Sequence, residues 1–411
     1  MAPQAFDQYD IPERSGKLAL FDASYLTDIP HYINEWHVSR IILVVSNSIY
    51  TKTGYVQKLE KALGDKVVGK QIGVGSHSPY KDVIAVTHLV QQKDADCLIS
   101  IGGSSYSDAC KIASKLAATL PGGFTAEDME GLIDQSNGKG VTKYAKIKLI
   151  LVPTTLSASE WNGIGSCTNS NGKKQHFGPH GLKQGGADVV LCDPELASTA
   201  PEQLWLSSGV RCIDHCVETI CNRHCTERAE KDALVGLSNM IMGLIKYKES
   251  EGQDRAEFLR GISDAQKGSR DAVKALIVDG NSFGPSHAIG HQLGSVGHVM
   301  HGITSCIMLA PVLRYTAARS DQPVFSRAKI GQGKILKVFN DTLSWKETDA
   351  ADALVRLLKQ LGLPTRLSEV GVTSEKDIDA IAEKTLTDIW AGGEKQITDK
   401  QEVRKILDTA R

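Results

Sequence analysis

A change of pattern near residue 200 limits the fold of this 411-residue chain more than any other feature. Before it, short β-rich runs alternate with helical patterns: Ile41–Val45, Cys97–Ile101, Ile147–Val152 and Val189–Cys192. After it, long helical stretches follow: Leu206–Cys221, Glu227–Tyr247, Ala350–Leu361 and Ser374–Thr385. Alternating strands and helices build a parallel sheet that is covered by helices. The sequence therefore predicts an α/β domain over residues 1–198 and an all-α domain over residues 199–411.

Charge and composition exclude several classes of partner. The 47 Lys and Arg residues balance 48 Asp and Glu residues, so no broad basic surface is available for nucleic acid or an anionic membrane. No segment reaches the roughly 18 apolar residues that span a bilayer, and the N-terminus resembles no targeting peptide. Nine cysteines, an odd number, suit reduced thiols better than a disulfide framework. We expect a cytoplasmic protein that acts on a small molecule.

The segment from Leu98 to Lys111 has the pattern of a phosphate-binding loop. An apolar strand leads through Gly102, Gly103, Ser104 and Ser105 into a helix. Glycines let the backbone approach a pyrophosphate, and the N–H groups and dipole of the helix point at it. An ordinary strand-to-helix turn would have the same pattern, so the loop alone leaves both interpretations open.

Two motifs together resemble a known family. The loop residues, followed by Asp108 and Lys111, resemble the Gly-Gly-Gly-Ser-x-x-Asp-x-x-Lys motif of the iron-containing alcohol dehydrogenase superfamily, with Ser104 in place of the third glycine. Residues 153–160, Pro-Thr-Thr-Leu-Ser-Ala-Ser-Glu, resemble its second motif, whose threonines lie against the nicotinamide. This segment has the shorter length of the maleylacetate reductase branch.

The resemblance implies a dehydroquinate synthase-like fold, with an α/β N-terminal dinucleotide-binding domain and an all-α C-terminal domain, in a homodimer. Where many relatives place an acidic residue after the first strand, Asn47 and its serine neighbours are neutral, so we expect NADPH or NADH as the cofactor. The predicted cofactor-binding residues are Asn47, Gly102, Gly103, Ser104, Ser105, Asp108, Thr154, Thr155, Leu156 and Ser159.

Four histidines form the second candidate constellation. His287 and His291 lie four residues apart in a helical stretch, so both face one side of a helix. In the superfamily, His215, His287 and His301 match the three metal-binding histidines, and His291 matches a histidine close to the substrate. The fourth ligand of the family is an aspartate one helical turn before His215, and this chain has Arg211 there.

Arg211 argues against a bound metal. A guanidinium has five N–H donors and no lone pair to offer a cation. At an effective dielectric near 20, its charge about 5 Å from a divalent ion costs on the order of 6–7 kcal/mol. Asp214 is no obvious substitute, because it is rotated about 60° from Arg211 around a helix. We expect the metal site to be lost.

A zinc cluster of thiolates is also disfavoured. Cys212, Cys216, Cys221 and Cys225 read as one helical run, in which the pairs 212/216 and 221/225 point in directions about 180° apart. We expect these side chains, like those of Cys167 and Cys306, to be small buried apolar groups.

These features predict an NAD(P)H-dependent reductase of a carbonyl or enoic acid, acting on C=O or CH–CH groups without a metal. Arg211 would hold a substrate carboxylate or the carbonyl oxygen, and His291, His287 or His301 would donate the proton, with His215 in the same site. The maleylacetate reductase resemblance implies reduction of maleylacetate to 3-oxoadipate. Two alternatives stay open: a metal-dependent alcohol or ketone dehydrogenase with another fourth ligand, and a redox-silent lyase, cyclase or binding protein.

Overall fold

The structure of the protein is a computed structural model that describes residues 4–135, 147–178, 183–388 and 396–411. The chain divides into two compact units, Met1–Ala200 and Pro201–Arg411. The described strands all belong to the first unit, and the second is helical. The fold class predicted from the sequence is therefore confirmed.

A parallel sheet forms the centre of the first unit. The strands are β1 Gln4–Asp7, β2 Leu18–Phe21, β3 Ile41–Val45, β4 Val67–Ile72, β5 Cys97–Gly102, β6 Lys148–Pro153, β7 Gly165–Thr168, β8 Lys174–Phe177 and β9 Val189–Leu191. Seven of them form one sheet in the order β1-β2-β9-β6-β5-β3-β4, in which only the β1–β2 pairing is antiparallel. The strands β7 and β8 form a separate antiparallel pair.

Helices cover the sheet of the first unit. They are α1 Tyr25–Glu35, α2 Asn47–Lys52, α3 Tyr55–Leu63, α4 Tyr80–Gln92, α5 Ser104–Thr119, α6 Ala126–Gln135 and α7 Pro194–Ala197, with 3₁₀ turns at Pro12–Arg14, Gly64–Lys66 and Ser159–Trp161. Every residue of β3 and β5 is buried. A central parallel strand is covered on both faces, which explains why these strands are continuous apolar runs rather than alternating ones.

The second unit consists of packed helices. They are α8 Glu202–Cys221, α9 Glu227–Ser250, α10 Arg255–Val278, α11 Pro285–Gly297, α12 His301–Ala318, α13 Ala328–Leu343, α14 Ala350–Gln360, α15 Glu375–Thr385 and α16 Lys400–Asp408, with 3₁₀ turns at Pro323–Phe325 and Leu367–Val370. The helix α8 is buried from Trp205 to Ile220, so it is the core helix of this unit. Side chains at the N-caps Thr226, Asp254, Asp349, Ser374 and Asp399 accept hydrogen bonds from the helix backbone that follows.

The cysteines differ from the prediction at one point. The helix α8 ends at Cys221, and Cys225 lies beyond it in the turn before α9, so the four cysteines do not share one helix. Asn222, the C-cap residue of α8, begins the turn between them, and its carbonyl accepts from the backbone N–H of Cys225 at 3.0 Å. All nine thiols are free. Of the six cysteines expected to be buried, Cys167, Cys212, Cys216 and Cys306 are buried, whereas Cys221 and Cys225 are half-buried.

Among the described residues, no helix has both the length and the hydrophobicity needed to cross a membrane.

Candidate active site

The phosphate-binding loop joins the central strand β5 to α5. Gly103 is the N-cap residue of α5. A Cβ on Gly103 would lie 3.0 Å from Cγ2 of Thr155, and a Cβ on Gly102 would lie 2.6 Å from the ring of Tyr106. The backbone N–H of Thr154 also donates to the carbonyl of Gly102 at 3.0 Å. The glycines therefore allow the loop and the threonine segment to lie directly against each other.

Two buried hydroxyl groups lie beside this loop. Ser104 Oγ and Thr155 Oγ1 are buried, and neither has a hydrogen-bond partner within the described parts of the chain. A buried hydroxyl without a partner is costly. Together with the free N–H groups that begin α5, these hydroxyls fit the phosphate and amide groups of a dinucleotide.

The side chains of Asp108 and Ser159, which were also predicted to bind the cofactor, form a hydrogen bond with each other. Ser159 Oγ donates to Asp108 Oδ1 at 2.5 Å. Lys111, almost fully buried, forms an ion pair with the same oxygen at 2.9 Å and donates to the carbonyls of Ser159 at 2.6 Å and Ile164 at 2.5 Å. The Asp108–Ser159 hydrogen bond therefore connects α5 to the segment that follows Thr154 and Thr155. Contact of Asp108 or Ser159 with the cofactor stays a prediction.

The other predicted cofactor residues lie nearby in the first unit. Ser105 Oγ accepts a hydrogen bond from the backbone N–H of His77 at 3.1 Å, and Ser78 Oγ donates to the carbonyl of Ser105 at 2.9 Å. Leu156 is fully buried, whereas Asn47, the first residue of α2, is exposed just after β3.

The structure brings the four histidines of the second unit together. Arg211 and His215 lie on α8, His287 and His291 on α11, and His301 begins α12. The ring centroids of His215 and His287 are 4.9 Å apart, those of His287 and His291 are 6.4 Å apart, and those of His291 and His301 are 5.9 Å apart. We call these four side chains the histidine cluster.

Arg211 lies inside this cluster and is 2% exposed. Its Nη1 donates to Ser305 Oγ at 3.0 Å and lies 3.6 Å from Asp214 Oδ2. Its Nη2 is 3.5 Å from Nε2 of His291, and its Nε is buried with no hydrogen-bond partner among the described residues. The Nη1 side of the guanidinium is thus paired, and the edge formed by Nε and Nη2 is poorly satisfied.

Two buried carboxylates on α8 support the cluster. Asp214 Oδ2 accepts from Ser305 Oγ at 2.6 Å and Ser286 Oγ at 3.0 Å. Oε2 of Glu218 is hydrogen-bonded to Nδ1 of His287 at 2.6 Å, and its Oε1 accepts from the backbone N–H of Ser286 at 2.7 Å. Asp214 Oδ2 lies 3.6 Å from Nη1 of Arg211 and 3.6 Å from Nδ1 of His287, and the prediction that Asp214 does not replace the fourth metal ligand stays a prediction.

A third carboxylate, Asp388, follows α15. Its Oδ2 lies 3.0 Å from Nδ1 of His291 and accepts a hydrogen bond from Gln292 Nε2 at 3.0 Å. Asp388 is 97 positions from His291 in the chain, so no spacing in the sequence pointed to it. Glu218, by contrast, lies seven residues after Arg211 and therefore on the same helical face.

Burial controls the charges of the site. Burial, followed by the positive charge of Arg211, lowers the pKa values of His215 and His287 well below the ordinary histidine value. Burial raises the pKa of Asp214 to about 6, against the opposing effect of Arg211. Burial also raises the pKa of Glu218, whose Oε2 lies 2.6 Å from Nδ1 of His287, and Nε2 of His287 is buried without a hydrogen-bond partner in the described parts of the chain.

The donor set fits a divalent cation poorly. Ligand atoms of Asp214, Glu218 and His287 lie within 4.8 Å of one another, which is compatible with a cation. However, Glu218 is already bonded to His287, and Asp214 Oδ2 accepts two hydroxyl hydrogen bonds beside a guanidinium. A metal here would have to displace these bonds against the charge of Arg211.

Comparisons with known proteins cover both units. A family model described as iron-containing alcohol dehydrogenase matches residues 17–194, and a model of the C-terminal part of the same family matches residues 206–411. The dehydrogenase ALT3 of Alternaria alternata is 34% identical over 396 residues, which cover 90% of this chain and 97% of the relative. The dehydrogenase FUM7 of Gibberella moniliformis is 30% identical over 407 residues, which cover 92% of each chain.

Solved structures share the fold. Maleylacetate reductase from Agrobacterium tumefaciens has a TM-score of 0.71 at 20% identity, with 95% of each chain covered. Sulfoacetaldehyde reductase from Bifidobacterium kashiwanohense, solved in complex with NAD+, has a TM-score of 0.75 at 17% identity, with 95% of this chain and 96% of the other covered. Matches to both family models over most of the chain mean that this protein belongs to the iron-containing alcohol dehydrogenase family and is an NAD(P)-dependent oxidoreductase.

Proposed function

We propose that the protein is an NAD(P)H-dependent reductase of a small keto or enoic acid and that it works without a metal. The observation that carries this proposal is the buried guanidinium of Arg211 among four histidines, with its Nε–Nη2 edge poorly satisfied. The relatives named dehydrogenases and the structural neighbour named maleylacetate reductase agree with the reaction class.

A carboxylate suits the open edge of Arg211. Two carboxylate oxygens can accept from Nε–H and Nη2–H side by side, in the bidentate geometry that arginine favours. A buried guanidinium left partly unpaired is costly, so a ligand that satisfies it gains affinity and specificity. A substrate with a carboxylate near the reacting group is therefore favoured over a neutral alcohol.

The first unit would bind the dinucleotide. NAD(P)H, when bound, supplies the hydride. The N-terminus of α5, with Gly103 and the hydroxyls of Ser104 and Thr155, would hold its phosphates and amide. The neutral Asn47 after β3 repels no 2′-phosphate, so NADPH should be accepted as well as NADH.

The histidine cluster would supply the proton that a metal-free reduction needs. General acid catalysis contributes about 10²–10⁴-fold, or roughly 3–5 kcal/mol, which is comparable with the several kcal/mol that a metal supplies as a Lewis acid. Arg211 and a histidine could therefore lower the activation free energy by about as much as the metal would.

The test is a turnover assay with NADPH and NADH against matched sets of keto acids, enoic acids and neutral aldehydes or ketones. We expect cofactor oxidation with an acid substrate and little with neutral ones. Oxidation with none of the acids would contradict the proposal and favour a redox-silent descendant.

A metal-dependent dehydrogenase is the second candidate, because the ligand atoms of Asp214, Glu218 and His287 converge within 4.8 Å. Activity on neutral alcohols that depends on an added divalent metal would favour it over the first.

A further inference from the structure

We infer that the turn at His77 and Ser78 positions the phosphate-binding loop, because it leaves the hydroxyl group of Ser105 as a hydrogen-bond donor for the pyrophosphate of the dinucleotide. This inference rests on the proposed function, in which the N-terminus of α5 holds that pyrophosphate. His77 and Ser78 act through Ser105 and are positioning residues.

The turn lies between β4 and α4 and has an unfavourable backbone conformation. The φ angles of His77 and Ser78 are 61° and 49°, so two consecutive residues that carry a Cβ lie in the left-handed region. Each such residue costs free energy and persists only where the surrounding structure imposes the conformation. Strain of this kind is concentrated at functional sites, so the turn is a candidate for a role beyond connecting a strand to a helix.

Contacts on two sides impose this conformation. Ser78 is fully buried, and its backbone N–H donates to the carbonyl of Gly75 at 3.1 Å. On one side, the backbone N–H of Thr168 in β7 donates to the carbonyl of Ser78, and Thr168 Oγ1 donates to the carbonyl of His77, both at 3.3 Å. On the other side, the turn meets Ser105, the second residue of α5.

Two hydrogen bonds join the turn to the first turn of α5. The backbone N–H of His77 donates to Ser105 Oγ at 3.1 Å, and Ser78 Oγ donates to the carbonyl of Ser105 at 2.9 Å. A serine hydroxyl has one hydrogen to donate and two lone pairs that accept. Because the N–H of His77 binds one of these lone pairs, the hydrogen of Ser105 remains to be donated, and within the described ranges it has no acceptor.

A phosphate oxygen at the N-terminus of α5 would be a suitable acceptor. An ionised phosphate group accepts hydrogen bonds, and bonds to it are stronger than bonds to neutral acceptors. Thr155 Oγ1 is a second buried hydroxyl at this helix end, where it would lie 3.3 Å from a Cβ on Gly103 and has no hydrogen-bond partner among the described residues. The turn therefore prepares Ser105 for an anionic ligand rather than a neutral one.

The experiment is a double-mutant cycle on NADPH binding, measured by fluorescence titration of the whole protein. Ser78→Ala removes the bond that holds the turn against α5, and Ser105→Ala removes the donor itself, so each should raise the dissociation constant of NADPH about tenfold. Because Ser78 acts through Ser105, the double variant should exceed Ser105→Ala by less than about twofold.

A matched control is available in the same helix. Ser114 Oγ donates to the carbonyl of Lys111 in α5 at 2.9 Å, the distance at which Ser78 Oγ donates to Ser105. Ser114→Ala therefore removes an equivalent hydrogen bond away from the helix N-terminus. It should leave the dissociation constant of NADPH within about twofold of the parent.

A further variant separates positioning from folding. Ser78→Gly also lacks the hydroxyl group, but glycine adopts the left-handed conformation without steric cost. Its Tm should therefore exceed that of Ser78→Ala, whereas the dissociation constants of NADPH for the two variants should agree within about threefold. If the turn were merely structural, NADPH affinity would follow the Tm instead.

Three results would overturn the inference while leaving the proposed function intact. They are an unchanged dissociation constant in Ser78→Ala, additive losses in the double variant, and parent-like affinity in Ser78→Gly. A parent protein that binds neither NADPH nor NADH in the titration would instead overturn the proposed function and, with it, the role of this turn.

Discussion

Replacing Arg211 by methionine should remove the preference for carboxylate substrates. Like the arginine side chain, methionine is unbranched and flexible, so it can fill the buried space without carrying a charge. In the parent, the poorly satisfied Nε–Nη2 edge can form charge-assisted hydrogen bonds with a carboxylate, worth about 1.5–3 kcal/mol. This energy corresponds to roughly a 10–150-fold ratio of kcat/KM between a keto acid and its ester.

The assay measures kcat/KM for the acid and its ester with the parent, Arg211→Met and Arg211→Lys. The acid-to-ester ratio should fall to within about threefold in Arg211→Met, because neither form then meets a guanidinium. Arg211→Lys keeps the positive charge but cannot form the bidentate hydrogen bonds, so its acid-to-ester ratio of kcat/KM should be intermediate. Thermal unfolding of each variant shows whether the buried side chains of Asp214 and Ser305 tolerate the change.

Equal activity of the parent on acid and ester would refute this reasoning. An undiminished preference in Arg211→Met would refute it too. Either result would leave Arg211 as a structural partner of Asp214, to which it is already close at 3.6 Å.

The remaining predictions concern the cofactor loop, a buried lysine and the metal. Gly103→Val should raise the dissociation constant of NADPH at least about tenfold, since even a Cβ there lies 3.0 Å from Thr155, whereas Gly122→Val, with open space around it, should leave NADPH titration unchanged. Burial lowers the pKa of Lys115 in the folded protein to about 7. Between pH 7 and the ordinary lysine pKa of 10.5, this side chain therefore binds more protons in the unfolded chain than in the folded protein. The free energy of unfolding should therefore rise from pH 7 to pH 9 relative to Lys115→Met, by at most about 1.4 kcal/mol per pH unit, and parallel pH profiles from denaturant titrations would contradict this. Arg211→Asp should increase zinc affinity in equilibrium dialysis, and a variant that binds no more zinc than the parent would show that the histidines do not converge as the structure places them.

Local patterns in the sequence predicted most of the fold. The strand Ile41–Val45 has the bounds that its apolar run predicted, because a strand buried on both faces carries its signal in every residue. The helix α8 begins at Glu202, four residues before the predicted Leu206, because its first two residues, Glu202 and Gln203, are polar and carry no apolar periodicity. Cys225 was placed on this helix since a short turn after Cys221 interrupts no hydrophobic pattern.

The candidate site was predictable only where its residues lie close in sequence. The spacing of His287 and His291 on one helix predicted their common face, and resemblance to the family added His215 and His301. Asp388 could not be found in this way, because its contact with His291 depends on how α15 packs against α11. The poorly satisfied Nε–Nη2 edge of Arg211 is likewise a property of three-dimensional packing that no spacing rule describes.

Metal analysis of the active enzyme tests the central claim most directly. The protein should be dialysed against a weak chelator, analysed for iron and zinc by mass spectrometry, and assayed with a keto acid before and after treatment with a strong chelator. If Arg211 has replaced the metal, the protein will contain well under one equivalent of either metal and keep its full activity. Stoichiometric metal, together with activity that the strong chelator abolishes and added metal restores, would contradict the account.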